Sequence, residues 1–282
     1  IGATVWSLIA AERARLAQQQ AQAAKIQAEA RAAEADAVVG FLSEALAGAA
    51  PESSMGREVK LIEVLSDASK QTLPAAQANV EVKIRQTLLE TYIALGLFSE
   101  AEKEVERMAT LCATITAVTT CTLLPTLRAR VLRSQGRQEL ALPFAKQGLA
   151  IVRTEFGPHS DEAIDAQINY AEILNNLGDS NASVGQFQDA VKRSEKRAAL
   201  PPKLDLKMRT LLSDALAEEG DLTGAESVLK VALTRAQTTL GKDYPTVLLA
   251  RNSLITFKNE RGEYAAAIEE YSALLKDAER VL

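Results

Sequence analysis

From about residue 80 onward, apolar side chains recur at three- and four-residue intervals, the spacing that gathers them on one face of an α-helix. These amphipathic stretches are cut by glycines. TLLETYIALG, TLRARVLRSQG, NYAEILNNLG, LLSDALAEEG and SLITFKNERG end on Gly96, Gly136, Gly178, Gly220 and Gly262, at intervals of 40, 42, 42 and 42 residues. A helix that must stop and reverse needs a left-handed residue just past its end, and glycine adopts that without a Cβ clash. Five residues after each glycine stands a small side chain, Ala101, Ala141, Ser183, Ala225 or Ala267, which lets a second helix approach the first closely. Seven further on, Met108, Gly148, Ala190, Ala232 and Leu274 fall on the same face. Phe98, Leu222 and Tyr264 add an apolar group two residues past the turn. A second marker runs in the same frame. FGPHSDEA and LGKDYPTV, with Gly157 and Gly241, lie 84 residues apart, and AALPPKLD, with Pro201 and Pro202, breaks a helix between them. The pattern predicts helix pairs, each joined to the next by a turn.

This unit resembles the helix-turn-helix of a tetratricopeptide (TPR) repeat. The usual TPR period is about 34 residues, and the longer unit with its G-x-x-[HY]-P/S turn is similar to the repeats of kinesin light chain and its bacterial relatives. The resemblance implies an all-α fold, a right-handed α-solenoid of about five repeats over residues 80–282. It also implies a concave surface, lined by the first helix of each pair, that binds a protein or peptide ligand. Counting back 13, 10, 6, 3 and 2 residues from the glycines gives the candidate concave residues. They are Lys83, Gln86 and Glu90; Arg130 and Arg133; Asp165, Glu172, Asn175 and Asn176; Lys207, Asp214 and Glu218; and Asn252, Asn259 and Glu260. Asparagine offers both a donor and an acceptor and can hold a peptide backbone whatever its sequence. The signs predict a groove that is basic near Arg130 and Arg133 and acidic toward Asp214 and Glu218.

The amino-terminal third follows other rules. Residues 11–36 hold 11 alanines and no Gly or Pro, but only Leu16 and Ile26 as large apolar residues. They predict a long Ala-rich spacer helix or weak coiled coil, which could pair two chains, rather than a core element. Residues 37–79 predict capping helices: AVVGFLSEALAGA, a loop through Pro51, Ser53, Ser54 and Gly56, then REVKLIEVLSDASKQTL packed on the first repeat. Residues 1–10 are uncharged and mostly apolar, with Trp6 among them. A bilayer crossing needs about 20 such residues, so they read as the end of a transmembrane helix begun upstream or as an ordinary apolar helix end.

This order of segments resembles the region after the membrane span in bacterial transmembrane serine/threonine protein kinases that carry TPR repeats. The matching residues are Ala11 to Arg15, Phe41, Leu42, Glu63, Val64, Leu65, Asp67 and Ala68. The resemblance implies a membrane-anchored parent whose kinase domain lies on the cytoplasmic side, with this region outside the membrane as a sensor or docking element. The alternative is a cytoplasmic scaffold array unconnected to a kinase, and a third reading is a self-associating solenoid. No G-x-G-x-x-G loop, V-A-I-K lysine, H-R-D or D-F-G occurs in the chain, so it is not expected to catalyse phosphoryl transfer.

Composition narrows the chemistry. The net charge is −5, from 37 acidic and 32 basic residues, and no basic cluster long enough to track a phosphate backbone is present. Nucleic acid is not an expected partner. One histidine and two cysteines leave little for a metal site, and no cofactor is implied. His159, beside Ser160, Asp161 and Glu162, reads as part of a helix-capping turn with Ser160 or Asp161 as the cap. Cys112 and Cys121 bracket ATITAVTT at a repeat junction. They would pair in an oxidising compartment and stay as small buried hydrophobes in a reducing one.

Overall fold

The computed structural model describes residues 61–115, 119–197 and 200–281, with the single positions Arg15 and Gln22, both helical and exposed. The expectations for residues 1–10, for the Ala-rich helix as a whole, for pairing through it and for Phe41 and Leu42 lie outside the described residues. Among the described residues every regular element is helical, and no helix is long and apolar enough to cross a membrane.

A capping helix, α1 (Leu61–Lys70), and a 3-10 turn (Ala75–Gln77) precede the array. Five helix pairs follow. They are α2 (Ala78–Ala94) with α3 (Phe98–Cys112), and α5 (Leu124–Ser134) with α6 (Gln138–Glu155). Next come α7 (Asp161–Asn176) with α8 (Ser180–Ser194), and α9 (Pro202–Glu218) with α10 (Leu222–Leu240). The last is α11 (Pro245–Glu260) with α12 (Tyr264–Val281). A short α4 (Thr119–Thr122) stands before the second pair. Each helix packs on its sequence neighbour, and first helices also touch the first helix of the next pair, as α5 does α7 and α9 does α11. The result is an all-α repeat solenoid.

The turn glycines behave as their spacing requires. Gly178 has φ +82°, and the other four share the left-handed region. The amide of Asp179, just beyond, bonds back to the Leu174 carbonyl, so the turn satisfies helix-end groups that would otherwise be orphaned. The small residues five positions on are wholly shut from solvent, and Ser183 donates its hydroxyl proton to the Ala171 carbonyl across the pair. Gly148 serves a different end. A Cβ there would lie 2.4 Å from Thr126 Oγ1 and 2.8 Å from the Thr126 backbone nitrogen. Glycine is therefore what lets α6 sit against the start of α5.

The second pair departs from the others. Its first helix is α5, cut short because Pro125 stands at its amino end and α4 occupies the chain ahead of it. Proline has no amide proton to give a preceding turn, which sets the helix start there. Here Cys112, at the end of α3, and Cys121, in α4, are joined as a disulfide with Cα atoms 5.6 Å apart. The bond spans the junction between the first and second pairs. At the next junction Ser160 caps α7 by accepting the Ala163 amide proton, which leaves His159 as a turn residue.

Candidate binding groove

First helices of neighbouring pairs lie side by side, so a long side chain on one can reach the same face of the next, roughly 8–10 Å away. The candidate concave residues use this reach. Arg130 on α5 pairs with Asp165 on α7 and lies 3.7 Å from Glu90 on α2. Lys207 on α9 donates to the other Asp165 oxygen at 3.2 Å. Gln86 donates to Glu90 at 3.0 Å. These contacts form one rung-to-rung chain, Gln86, Glu90, Arg130, Asp165, Lys207, across four first helices. Nearer the turns, Arg133 donates to Glu172 at 2.9 Å and to Asn169 at 3.0 Å, and Asn175 donates to Glu218 at 2.7 Å.

A pocket of about 340 Å³ opens on this face. Gln86, Glu90, Arg130 and Asp165 supply its polar wall, and Leu123, Thr126, Leu127 and Leu204 supply apolar lining, with Asp161 and Glu162 at one edge. The short α5 helps to shape it, because Leu123 and Thr126 come from the turn that Pro125 imposes. Apolar lining with a few convergent charged groups is the usual build of a site that holds a side chain or small ligand.

The electrostatics differ along the groove. Burial alone would push the Asp165 carboxyl up, but Arg130 and Lys207 more than offset it and hold it below the usual carboxylate range. Asp214, one period beyond Glu172, is different. Burial raises it and the neighbouring Glu218 carboxylate raises it further, to about 6. The expectation of a basic stretch near Arg130 and Arg133 is corrected by these contacts. Both guanidinium groups are already committed to carboxylates within the array, because α7 offers Asp165 and Glu172 at the height of the two arginines. Asp214 and Glu218 lie close enough for one carboxylate to raise the other.

Other candidates stand at the surface of the first helices. Lys83 is exposed on α2, Asn176 is exposed at the end of α7, and Asn252, Asn259 and Glu260 are exposed along α11. The groups most deeply held were not legible as a row. Eleven positions before the turn glycines stand Arg85, Gln167, Arg209 and Arg251, each anchoring its own pair. Arg85 is buried and donates to Glu81 at 2.7 Å and to Glu104 at 2.9 Å, and also to the Ser69 and Gln71 carbonyls. Gln167 donates to the Gln186 carbonyl and to Asp189, Arg209 to Asp205, and Arg251 to Asp277. In the second pair that position is Pro125, and the row is broken, which hid it.

No family model matches the chain, and no curated protein matches it. Solved structures do. A putative kinesin light chain with nearly identical TPR-like repeats from Podosopora anserina superposes with a TM-score of 0.58 at 17% identity, covering 72% of this chain and 97% of that one. BtubC (BKLC) from P. vanneervenii gives 0.58 at 17% identity over 73% of this chain and 81% of its own. A Rap protein complexed with Competence and Sporulation Factor gives 0.63 at 14% identity over 77% of this chain and 58% of that chain. At these identities the likeness is one of fold, that of a TPR repeat array.

Proposed function

We propose that the concave face binds a polypeptide segment of a protein partner, seated over the pocket between Glu90, Arg130 and Asp165, and that the array catalyses nothing itself. The observation that carries this reading is the pocket's construction: an apolar lining against a wall of charges held in place from one repeat to the next. Side chains fixed this way present their remaining lone pairs and protons without a large entropic cost on binding. The Rap structure, with the same type of fold, holds Competence and Sporulation Factor. The test is a random-peptide display library panned on the wild-type chain and on Arg130→Glu. The expected result is a set of peptides enriched on the wild type and lost on the variant; enrichment that survives the substitution unchanged removes the groove as the site.

The biological setting we propose is the sensor or docking region of a membrane-anchored bacterial serine/threonine protein kinase, on the extracytoplasmic side. Two things support it: the order of segments described above and the Cys112–Cys121 disulfide, which persists in an oxidising compartment. Thiol titration of unfolded protein, taken from its native compartment without reductant, tests the setting. Thiols that react only after reduction agree with it. Two free thiols move the array to a reducing compartment and to the cytoplasmic scaffold reading.

A further inference from the structure

The charges of the concave face do not balance. Arg130 and Lys207 are both spent on Asp165, Arg133 on Glu172, and Arg197, just beyond α8, on Asp161. Glu90 has only the 3.7 Å approach of Arg130. Glu162, at the edge of the pocket, has no hydrogen-bonding or ionic partner among the described residues. Asp214 and Glu218 have no cation either, and Glu218 is held only by the neutral amide of Asn175. Every cation of the groove is therefore used within the array, and the carboxylates left over lie in two places.

The first place is the pocket, where Glu90 and Glu162 face an apolar wall of Leu123, Leu127 and Leu204. Lysine and arginine suit such a wall, because their stems lie on apolar surface while the charged head stays at the polar end. The second place is built of acceptors. Asp214 stands one turn before Glu218 on α9, and Asn175 bridges from α7 to Glu218 at 2.7 Å. Asn175 Oδ1 and Glu172 Oε2, one turn apart on α7, are shut from solvent and accept no proton. Buried acceptors without a donor are uncommon in folded chains, and ammonium and guanidinium groups bring donors alone. Among the described residues no three carboxylates converge as a metal ion would require, so the demand is for spaced donors on a chain.

We propose that the groove takes a basic segment, with one lysine or arginine in the pocket and a second at Asp214 and Glu218. This rests on the reading of the concave face as a polypeptide site and adds the chemistry of the partner. The spacing follows from α9. Lys207, which reaches the Asp165 wall of the pocket, and Asp214 are seven residues apart on that helix, about 10 Å along its axis. An extended chain covers that distance in about three residues. Arg130 serves such a ligand by holding Glu90 and Asp165 in place, so Arg130→Glu would set a third carboxylate against them and disperse the wall.

Two display libraries of equal length and apolar content test this, one with Lys and Arg as its only charged residues and one with Asp and Glu. Panned on the wild-type chain, the basic library is expected to be enriched, with its cations about three residues apart. A recovered peptide, titrated by fluorescence anisotropy, should lose about tenfold in affinity on Asp214→Asn with Glu218→Gln, as for a partly desolvated charge pair. Glu162→Gln should weaken it as well. Glu139→Gln with Glu155→Gln removes as much charge from the exposed side of α6 and should leave the affinity unchanged. Equal losses from the two double substitutions would mean attraction to the net charge of the chain, and would overturn the proposal. Enrichment of the acidic library alone, lost on Arg130→Glu, overturns the basic ligand and leaves the groove as a polypeptide site. Enrichment of neither library removes both.

Discussion

The first and last described pairs are held in opposite ways. At the amino-terminal end, α1 covers the first pair and is tied down by buried charge: Arg85 and Arg107 both donate to Ser69, and the Tyr92 hydroxyl donates to the Leu65 carbonyl. Glu81 accepts the Leu73 amide and fixes the segment that follows α1. In the last described pair, α12 carries the most continuous apolar stripe of any second helix, exposed among the described residues. In a repeat array stability is close to a sum of repeat and nearest-neighbour terms, so a pair with neighbours on both sides is held more firmly than a pair with a neighbour on one. The lesson is that the periodic part of the sequence says little about the ends. What differs lies in the few residues that break the period.

That contrast can be tested from its strongest point downward. Arg85→Ala would leave Glu81 buried without its cation and Glu104 with Arg107 alone. Breaking a buried pair this way costs about 3–5 kcal/mol, and urea unfolding should show the loss. If the variant unfolds at the wild-type midpoint, the cap is not held by charge. Cys112→Ser with Cys121→Ser opens a short loop beside the same cap, for which chain entropy gives about 2–3 kcal/mol. That difference should appear in melting under non-reducing conditions and vanish when the wild type is reduced.

The concave face extends the contrast. Its charges are paired as far as Lys207, but Asp214 has only Glu218 as a charged neighbour driving its titration. The Asp214 carboxyl titrates near 6 in the folded chain, against about 3.9 when unfolded. Between those values the folded state binds the extra proton, so this group's contribution to stability is present at low pH and is lost as pH rises through about 6. Asp214→Asn should therefore raise stability at neutral and alkaline pH by about 1 kcal/mol, a figure discounted for partial exposure. It should have no effect at pH values below the carboxylate range. A melting temperature that is equally shifted at both extremes would mean that packing, not ionisation, is responsible. The smallest effect is expected on α12, where Ile268 is exposed: Ile268→Glu should change single-chain stability by less than about 0.5 kcal/mol, as for other surface sites.

The helix pairs were legible because their signal is geometric. A left-handed turn and a close helix crossing admit few residue types, so Gly178 with Ser183, or Gly220 with Ala225, announce themselves in one dimension. The concave residues were legible as a face, since helical spacing alone puts Arg130, Asp165 and Lys207 on the same side of the stack. Their partnering was not. Whether Arg130 stands free or is spent on Asp165 depends on the height of one helix against the next, which no single-helix pattern contains. The buried Arg85 network was hidden for a related reason. Hydrophobicity reads an arginine as surface, and only the meeting of α1, α2 and α3 supplies the acceptors that make its burial tolerable. Pro125 concealed the row further by removing one of its members, and the same residue shapes the pocket.

The anchors eleven positions before each turn find their main partners inside their own pair: Arg85 with Glu104, Gln167 with Asp189, Arg251 with Asp277. The most deeply buried of these charges are thus settled largely within a pair, while the joints between pairs combine apolar contact, the partly buried Arg130–Asp165 and Arg133–Glu172 ion pairs and, at the first joint, the disulfide. A unit cut out or copied at the gene level would carry its anchor and that anchor's main counter-ion together. Lengthening and shortening of the array by whole units is therefore open to evolution at small cost. Unequal recombination within the 42-residue frame would yield foldable offspring far more often than crossovers placed anywhere else.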